Sequence, residues 1–388
     1  MRVSFIAAYL IGLESTPYKQ WLTADERKRR DRRYPRSALR TYKFSSFQQL
    51  YLSRCDQSLL NATGHDFLSF EELLRLFAPF YYYYTFDSDA RIIRPKKVTR
   101  EGKPEGRPRD MTACGCLGLV LMWYRTRGSC ARSLALMFGQ TSTPLYKWLK
   151  FGRKVLLHVL SRDSRAKVEL PSAEQVNEFQ QCVGEKYPYC AEVWGAGDGL
   201  KLFIEPPLSY QKQLRYYNGW KAAHFISCVF VFSVDGKIRV AILNAPGNFH
   251  DSNIADYGFY EPLETIFIRD GGKVVVDSAF KVINAPYLIK SSNVDPMDLE
   301  SIAINSNATS VRQLSEWGMR IIQSSYPRLK EPLSYEEDGD RMIVLKLMVN
   351  LYNFQAEMIG QNQIFNSYIE SQDGYFGYNS ISEYYNGN

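Results

Sequence analysis

VWGAGDGLKLFIEPP (Val193–Pro207) sets one aspartate, Asp198, among three glycines at the head of an alternating run, Leu200–Glu205, which Pro206–Pro207 closes. Alternation of apolar and polar residues reads as a half-buried β-strand. Downstream, HFISCVFVFSV (His224–Val234) is a long β-rich run. Asp235–Gly236 is a hairpin signal, and Lys237–Leu243 alternates as the return strand. Residues 250–265 have a helical pattern, and Val274–Asp277 reads as a short buried strand. Ala308–Ser325 reads as a helix, with Ser310 and Gln313 spaced like a capping box and Val311, Leu314, Gly318, Ile321 and Ile322 on one face.

Strand, hairpin, helix, strand, helix is the order of a ribonuclease-H-like α/β domain, in which the first strand is central. The expectation is that Asp198 and Asp277 lie on neighbouring strands and that Glu316 leans over their ends from the last helix. Hard divalent cations take oxygen ligands, one or two carboxylates each with waters and substrate phosphate oxygens. Two such ions are a common device for cutting a phosphodiester bond. Asp198, Asp277 and Glu316 are therefore the candidate catalytic and metal-ligating residues, and Asp251 of PGNFHDSNIADYGF is a candidate fourth metal ligand. Each acid also has a plain structural reading. Asp198–Gly199 is a turn dipeptide, Asp277 caps Ser278–Val282, Asp251 and Ser252 cap a helix, and Glu316 lies four residues from both Arg312 and Arg320.

The chain has 388 residues and a net charge of +7, enough for about two or three domains. Residues 1–165 hold 30 Lys and Arg against 14 Asp and Glu, and the remainder holds 18 against 27. A basic first half suits a polyanion, and an acidic second half suits carboxylates gathered around metal. DERKRRDRRYPRSALR (Asp25–Arg40) reads as a phosphate-binding arm or nuclear-localisation patch. EELLRLFAPFYYYYTF reads as a helix ending near Pro79, and residues 94–110 as an exposed basic linker. Met111–Tyr124, Ser129–Phe138 and a helix from an Ser142 N-cap through Val159 form a compact helical unit. Two short helices joined at Gly139, the second carrying Lys147, Lys150, Arg153 and Lys154, fit a helix-turn-helix whose second helix enters the DNA major groove; the alternative is a packing unit with solvated lysines. Lys212, Arg215 and Lys221, around the Asn218–Trp220 turn, are further candidate phosphate contacts.

Other chemistries lack their signatures. Seven cysteines, with no CxxC pair, read as reduced thiols. Four histidines occur without an HExxH motif, and neither a GxSxG elbow nor a Walker-type phosphate loop is present. Met1–Leu13 reads as an amphipathic or buried helix, with a secretory leader as the alternative, and no run is long enough to span a membrane. The strongly apolar Asp340–Ile364 reads as a helix packed back on the core, and residues 365–388 as poorly ordered.

WGAGDGLKLFIEPP, YYNGWKAAHFISCVFVFSVDGKI, APGNFHDSNIA, VVVDSAF and SVRQLSEWGMRIIQSSYPRLKEPL together resemble the PIF/Harbinger group of DDE transposases and the nucleases derived from them, over roughly residues 190–360. The resemblance implies a triad at Asp198, Asp277 and Glu316, with Asp251 as a further acid. It also implies two Mg²⁺ or Mn²⁺ ions, cleavage of double-stranded DNA at element ends, transfer of the 3′-hydroxyl to target DNA, and a nuclear location. A Myb-like DNA-binding partner protein is implied, and a homodimer is left open. The expected organisation is a basic helical region and linker (1–110), a helix-turn-helix-like unit (111–165), a nuclease domain (185–360) and a tail (361–388). Two departures from the group are DGLK, where many relatives have DGTH, and a divergent loop at Asn284–Asn305. The competing expectation is a domesticated, catalytically silent DNA-binding or partner-binding protein.

Overall fold

The computed structural model describes residues 34–87, 93–97, 109–128, 130–280, 285–290, 298–334, 338–359 and 363–368. The Met1–Leu13 reading, most of the basic run, the middle of the basic linker and the last twenty residues lie outside them.

The first half is helical: α1 (Ser46–Leu52), α2 (Asp56–Thr63), α3 (Phe67–Tyr83), a small β1–β2 hairpin (Tyr84–Phe86, Ile93–Pro95), α4 (Ala113–Arg125), α5 (Cys130–Phe138), α6 (Ser142–Leu160) and α7 (Ala173–Lys186). In α3, Phe70, Leu73, Phe77 and Tyr81 recur at helical spacing and are buried against α4 and α6. The helix does not end near Pro79. Pro79 sits inside it, and four more residues stay helical because Tyr81 is fully buried and donates its hydroxyl to the Met111 carbonyl at 2.6 Å. The N-cap of α6 is Thr141, not Ser142, and it makes no side-chain cap bond.

The second half is a mixed sheet: β3 (Val193–Phe203), α8 (Tyr210–Tyr216), β4 (Tyr217–Asn218), β5 (Ala223–Ser233), β6 (Ile238–Pro246), α9 (Asp251–Ala255), α10 (Tyr260–Asp270), β7 (Lys273–Val276), β8 (Leu288–Lys290), α11 (Leu299–Ser325), α12 (Asp338–Ile359) and α13 (Gln363–Tyr368). The strand order is β4-β5-β3-β7-β8, with β6 also on β5. β3 is thus interior, antiparallel to β5 and parallel to β7, and β7 runs parallel to β8. The Asp235–Gly236 hairpin forms, with Gly236 at φ 81°.

The expected helix at 250–265 is two helices, with Gly258 at φ 120° between them. The capping box at Ser310 and Gln313 is absent. α11 starts at Leu299, nine residues before the expected Ala308, capped by the Asp298 carboxylate, which accepts from the Ser301 amide at 3.2 Å. Ser310 instead donates to the Ser306 carbonyl at 3.0 Å, as a mid-helix hydroxyl does. The divergent loop therefore contains β8 and the first turns of α11.

One face of the sheet carries α11 and α12, and the other carries α7 and α10. α12 packs back as expected. Its Asn353 accepts from the Ile238 amide at 2.8 Å and donates to the Ile238 carbonyl at 3.0 Å. Asn350 donates to the carbonyls of Leu160 and Ala166, both at 3.2 Å, and Tyr124 donates to the Val344 carbonyl at 2.8 Å. One apolar core runs through both halves, from Tyr42 to Tyr368. Among the described residues no helix is long and apolar enough to cross a membrane.

Candidate active site

Asp198 lies within β3, not in a turn: it pairs with Phe230 of β5, inside an unbroken register from Gly195 to Phe203. The flanking glycines are a packing requirement. A Cβ at Gly195 would stand 2.5 Å from the Phe232 carbonyl oxygen, and one at Gly197 would stand 3.0 Å from the Phe259 ring. These residues keep a strand that propensity alone disfavours.

The parallel register pairs Gly195, Ala196 and Gly197 with Val274, Val275 and Val276. Asp198, still within β3, and Asp277, the first residue after β7, each follow the last of these pairs by one residue, so the two acids leave the paired register at the same level. Both are half-buried. Each accepts a hydrogen bond from the following amide: Gly199 to Asp198 Oδ1 at 2.7 Å, and Ser278 to Asp277 Oδ1 at 2.5 Å.

Asp198 shares a strand face with Ala196, whose partner is Phe232. α11 rests on that ring: a Cβ at Gly318 would lie 2.5 Å from it. Asp198 therefore points to the side of the sheet that carries α11, the helix of Glu316. Val311, Leu314, Ser315, Gly318 and Ile322 form the buried stripe of α11, and Glu316 lies on its flank, half-exposed. Its carboxylate accepts from Arg312 at 2.5 Å, the i,i+4 pairing its spacing allows.

Asp251 is the first residue of α9, with His250 as a cap residue that makes no side-chain bond. The chain continues to Phe259, which lies against Gly197 on the face opposite Asp198. The Asp251 side chain is outside the described residues. Among those residues, no three His, Cys, Asp or Glu side chains come close enough together to hold a metal ion. The register thus sets Asp198 and Asp277 one residue beyond the same pair, and Glu316 is engaged with Arg312. Carboxylate oxygens suit Mg²⁺ or Mn²⁺, which are held by one or two carboxylates plus water and phosphate oxygens. Cys228, paired with Leu200 beside Asp198, is no rival nucleophile, because burial pushes its thiol up to about 12.

The candidate DNA contacts divide into two groups. Lys147, Lys150 and Lys154 lie on the polar side of α6, but Lys150 is paired with Asp340 at 3.0 Å. Arg153 is turned aside, its guanidinium 3.6 Å from the Trp123 ring centroid. α6 also packs against α3, α4, α5 and α12, so much of its surface is covered. Lys212, Arg215 and Lys221 are all exposed. They stand on a surface with Tyr210, Leu214, Tyr217 and Trp220, the last 93% exposed. Sequence reasoning noted these cations but not their aromatic company, although Tyr and Trp lie within the same short stretch.

Residues 197–353 match the family described as DDE superfamily endonuclease. The match supports a DDE transposase-like family. It begins one residue before Asp198 and spans Asp198, Asp251, Asp277 and Glu316. No curated protein matches the chain. No solved structure matches it either. A DDE endonuclease match points to nuclease chemistry on DNA, and such enzymes generally use divalent metals.

Proposed function

We propose that this chain is a DNA endonuclease and strand transferase of the DDE type, built on a ribonuclease-H-like domain and related to the PIF/Harbinger group. The observation that carries the reading is the level placement of Asp198 and Asp277 on adjacent parallel strands, on the face that carries the helix of Glu316. The interior position of β3, with an antiparallel hairpin on one side and parallel β7 and β8 on the other, supports the fold assignment.

In this reading Asp198, Asp277 and Glu316, with Asp251 as a further ligand, would hold the divalent ions. Bound there, a pair of Mg²⁺ or Mn²⁺ ions would supply charge stabilisation to the attacking and leaving oxygens of the phosphodiester. The Gly199 and Ser278 amides, which donate to Asp198 Oδ1 and Asp277 Oδ1, would orient the two carboxylates for this. Glu316 has to exchange Arg312 for the cation. Lys212, Arg215 and Lys221 would meet DNA phosphates while the neighbouring aromatic side chains pack on sugar or base. The helical unit of α5 and α6 would add DNA contacts through Lys147 and Lys154, and through Lys150 and Arg153 only if they exchanged Asp340 and Trp123 for DNA. The protein would act in the nucleus, with a Myb-like partner protein and a second copy as candidate companions.

The engagement of Glu316 by Arg312 favours one rival: a domesticated protein that keeps the fold and binds DNA or a partner without cleaving. Nicking of a duplex bearing the element's ends, followed with and without Mn²⁺, separates the two. Metal-dependent nicking that is lost in Asp198→Asn supports the nuclease. Full duplex binding in chelator, with no cleavage at any metal concentration in the presence of nuclear extract, supports the silent protein.

A further inference from the structure

Asp277 stands just past the end of β7, so strand pairing does not fix where it points. The turn that follows has its own anchor. The Phe280 amide donates to the Asp277 carbonyl at 3.2 Å and closes a four-residue turn. Phe280 is 2% exposed, and its ring stacks on that of Phe259, with centroids 5.1 Å and planes 27° apart, a favourable spacing for two rings. Phe259 is itself fully buried. The same ring backs Asp198. Gly197, the residue before Asp198, has no side chain, and the ring fills the place that one would take: a Cβ there would stand 3.0 and 3.3 Å from two ring carbons. The ring meets β3 on the face opposite Asp198 and bars the strand from sinking in that direction. Phe259 comes to this place from α9, the helix that begins with Asp251. Its amide donates to the Ala255 carbonyl at 3.0 Å, Ile254 and Ala255 are fully buried, and Gly258 takes a φ of 120° that favours glycine. One ring therefore touches the strand of Asp198 and the turn of Asp277, and it follows directly on the helix of Asp251.

We propose that Phe259 is a positioning residue for the acids of the site: it does not touch a cation, and it sets Asp198 and Asp277 relative to each other. The inference rests on the nuclease reading, in which those acids hold Mg²⁺ or Mn²⁺. A close-packed interior transmits strain from one side chain to the next, and a binding constellation has to be held within about 0.5 Å of its productive geometry. Leucine at position 259 lacks the flat surface that meets Phe280 and the ring carbons that meet Gly197, so both supports loosen together.

The test uses the full chain without DNA. Mn²⁺ affinity by calorimetry and Tm are measured for the wild type, Phe259→Leu, Phe280→Leu and Asp198→Asn. Phe70→Leu is the control, an equally buried ring of α3 in the helical half. Titrations run well below each Tm, so that every variant is folded. A fall in Tm of several degrees is expected for all three ring variants. Among them, only Phe259→Leu and Phe280→Leu should bind Mn²⁺ about tenfold more weakly. Gly197→Ala adds a readout free of metal: its methyl meets the Phe259 ring, so it should lower Tm less in Phe259→Leu than in the wild type. Phe259→Met, which fills the space with a flexible chain, carries the comparison if Phe259→Leu does not fold. Wild-type Mn²⁺ affinity in the Phe259 variant, with loss of binding in Asp198→Asn, would overturn this inference alone, and so would equal weakening in Phe70→Leu. Wild-type protein that binds no Mn²⁺ would overturn the nuclease reading and this inference with it.

Discussion

Gly318→Ala probes the contact that sets Glu316 over the sheet. A Cβ there would lie 2.5, 2.6 and 2.7 Å from three atoms of the Phe232 ring, against an ordinary carbon contact of about 3.5–4.0 Å. Roughly 1 Å of movement is needed, in a ring that is fully buried. Overpacking of this kind costs about 1–3 kcal/mol, and replacing glycine by alanine inside a helix returns about 0.8–1.0 kcal/mol. The net expectation is a loss of up to about 2 kcal/mol, or a fall in Tm of several degrees. If α11 yields rather than the ring, Glu316 moves with it, and about 1 Å of misplacement costs on the order of 10²-fold in rate. Thermal unfolding and metal-dependent nicking are measured on the same preparation. Gly339→Ala is the control, because a Cβ there meets nothing within 4 Å, and it leaves both stability and rate at least at wild-type levels. An undiminished Tm and nicking rate in Gly318→Ala would refute the claim that α11 is seated on Phe232.

Arg312→Gln releases Glu316 from a half-exposed i,i+4 pair worth about 0.3–0.5 kcal/mol; stability should fall by no more than that, and Mn²⁺ affinity read by calorimetry should rise about twofold. A fall in affinity would mean that Arg312 positions Glu316 instead of competing for it. His65, buried with its Nδ1 2.8 Å from the Ser69 hydroxyl, has its pKa lowered by burial, and further by Arg125, from 6.5 to about 3. The unfolded chain therefore takes up a proton below about pH 6.5 that the folded chain refuses until about 3, so stability is lost as pH falls through that window, by about 1.4 kcal/mol per pH unit. Urea midpoints of His65→Gln should show a shallower pH slope than the wild type, and equal slopes would rule out this origin. Lys212→Gln with Arg215→Gln should reduce the salt dependence of duplex binding by about two phosphate contacts' worth of slope, and an unchanged slope would remove that surface from the DNA interface.

The sheet was legible because its strands are apolar and β-branched around fixed punctuation: the Asp235–Gly236 turn, the three valines before Asp277 and the alternation after Asp198. Helix limits were less so. The first turns of α11 expose Leu299 (79%) and Ile302 (39%), so the core-facing period that announces a helix begins only near Ala308. The part of β3 before Asp198 is hidden by Gly195 and Gly197, whose reason for being glycine is the Phe232 carbonyl and the Phe259 ring, both far away in sequence. The same distance hides the fate of α6. The two-helix pattern with a basic second helix set Lys150 and Arg153 on a DNA-reading helix, while folding brings Asp340 to one and Trp123 to the other. The spacing that linked Glu316 to Arg312 was local, and it did predict their contact.

The most direct measurement is single-turnover cleavage of an end-bearing duplex in Mn²⁺ by the wild type, Asp198→Asn, Asp277→Asn and Glu316→Gln, with binding measured in parallel. Loss of on the order of 10³-fold or more in rate for each variant, at unchanged duplex affinity, is the predicted result. Cleavage by Asp198→Asn and Asp277→Asn at the wild-type rate would contradict a carboxylate site at Asp198 of β3 and Asp277 just after β7.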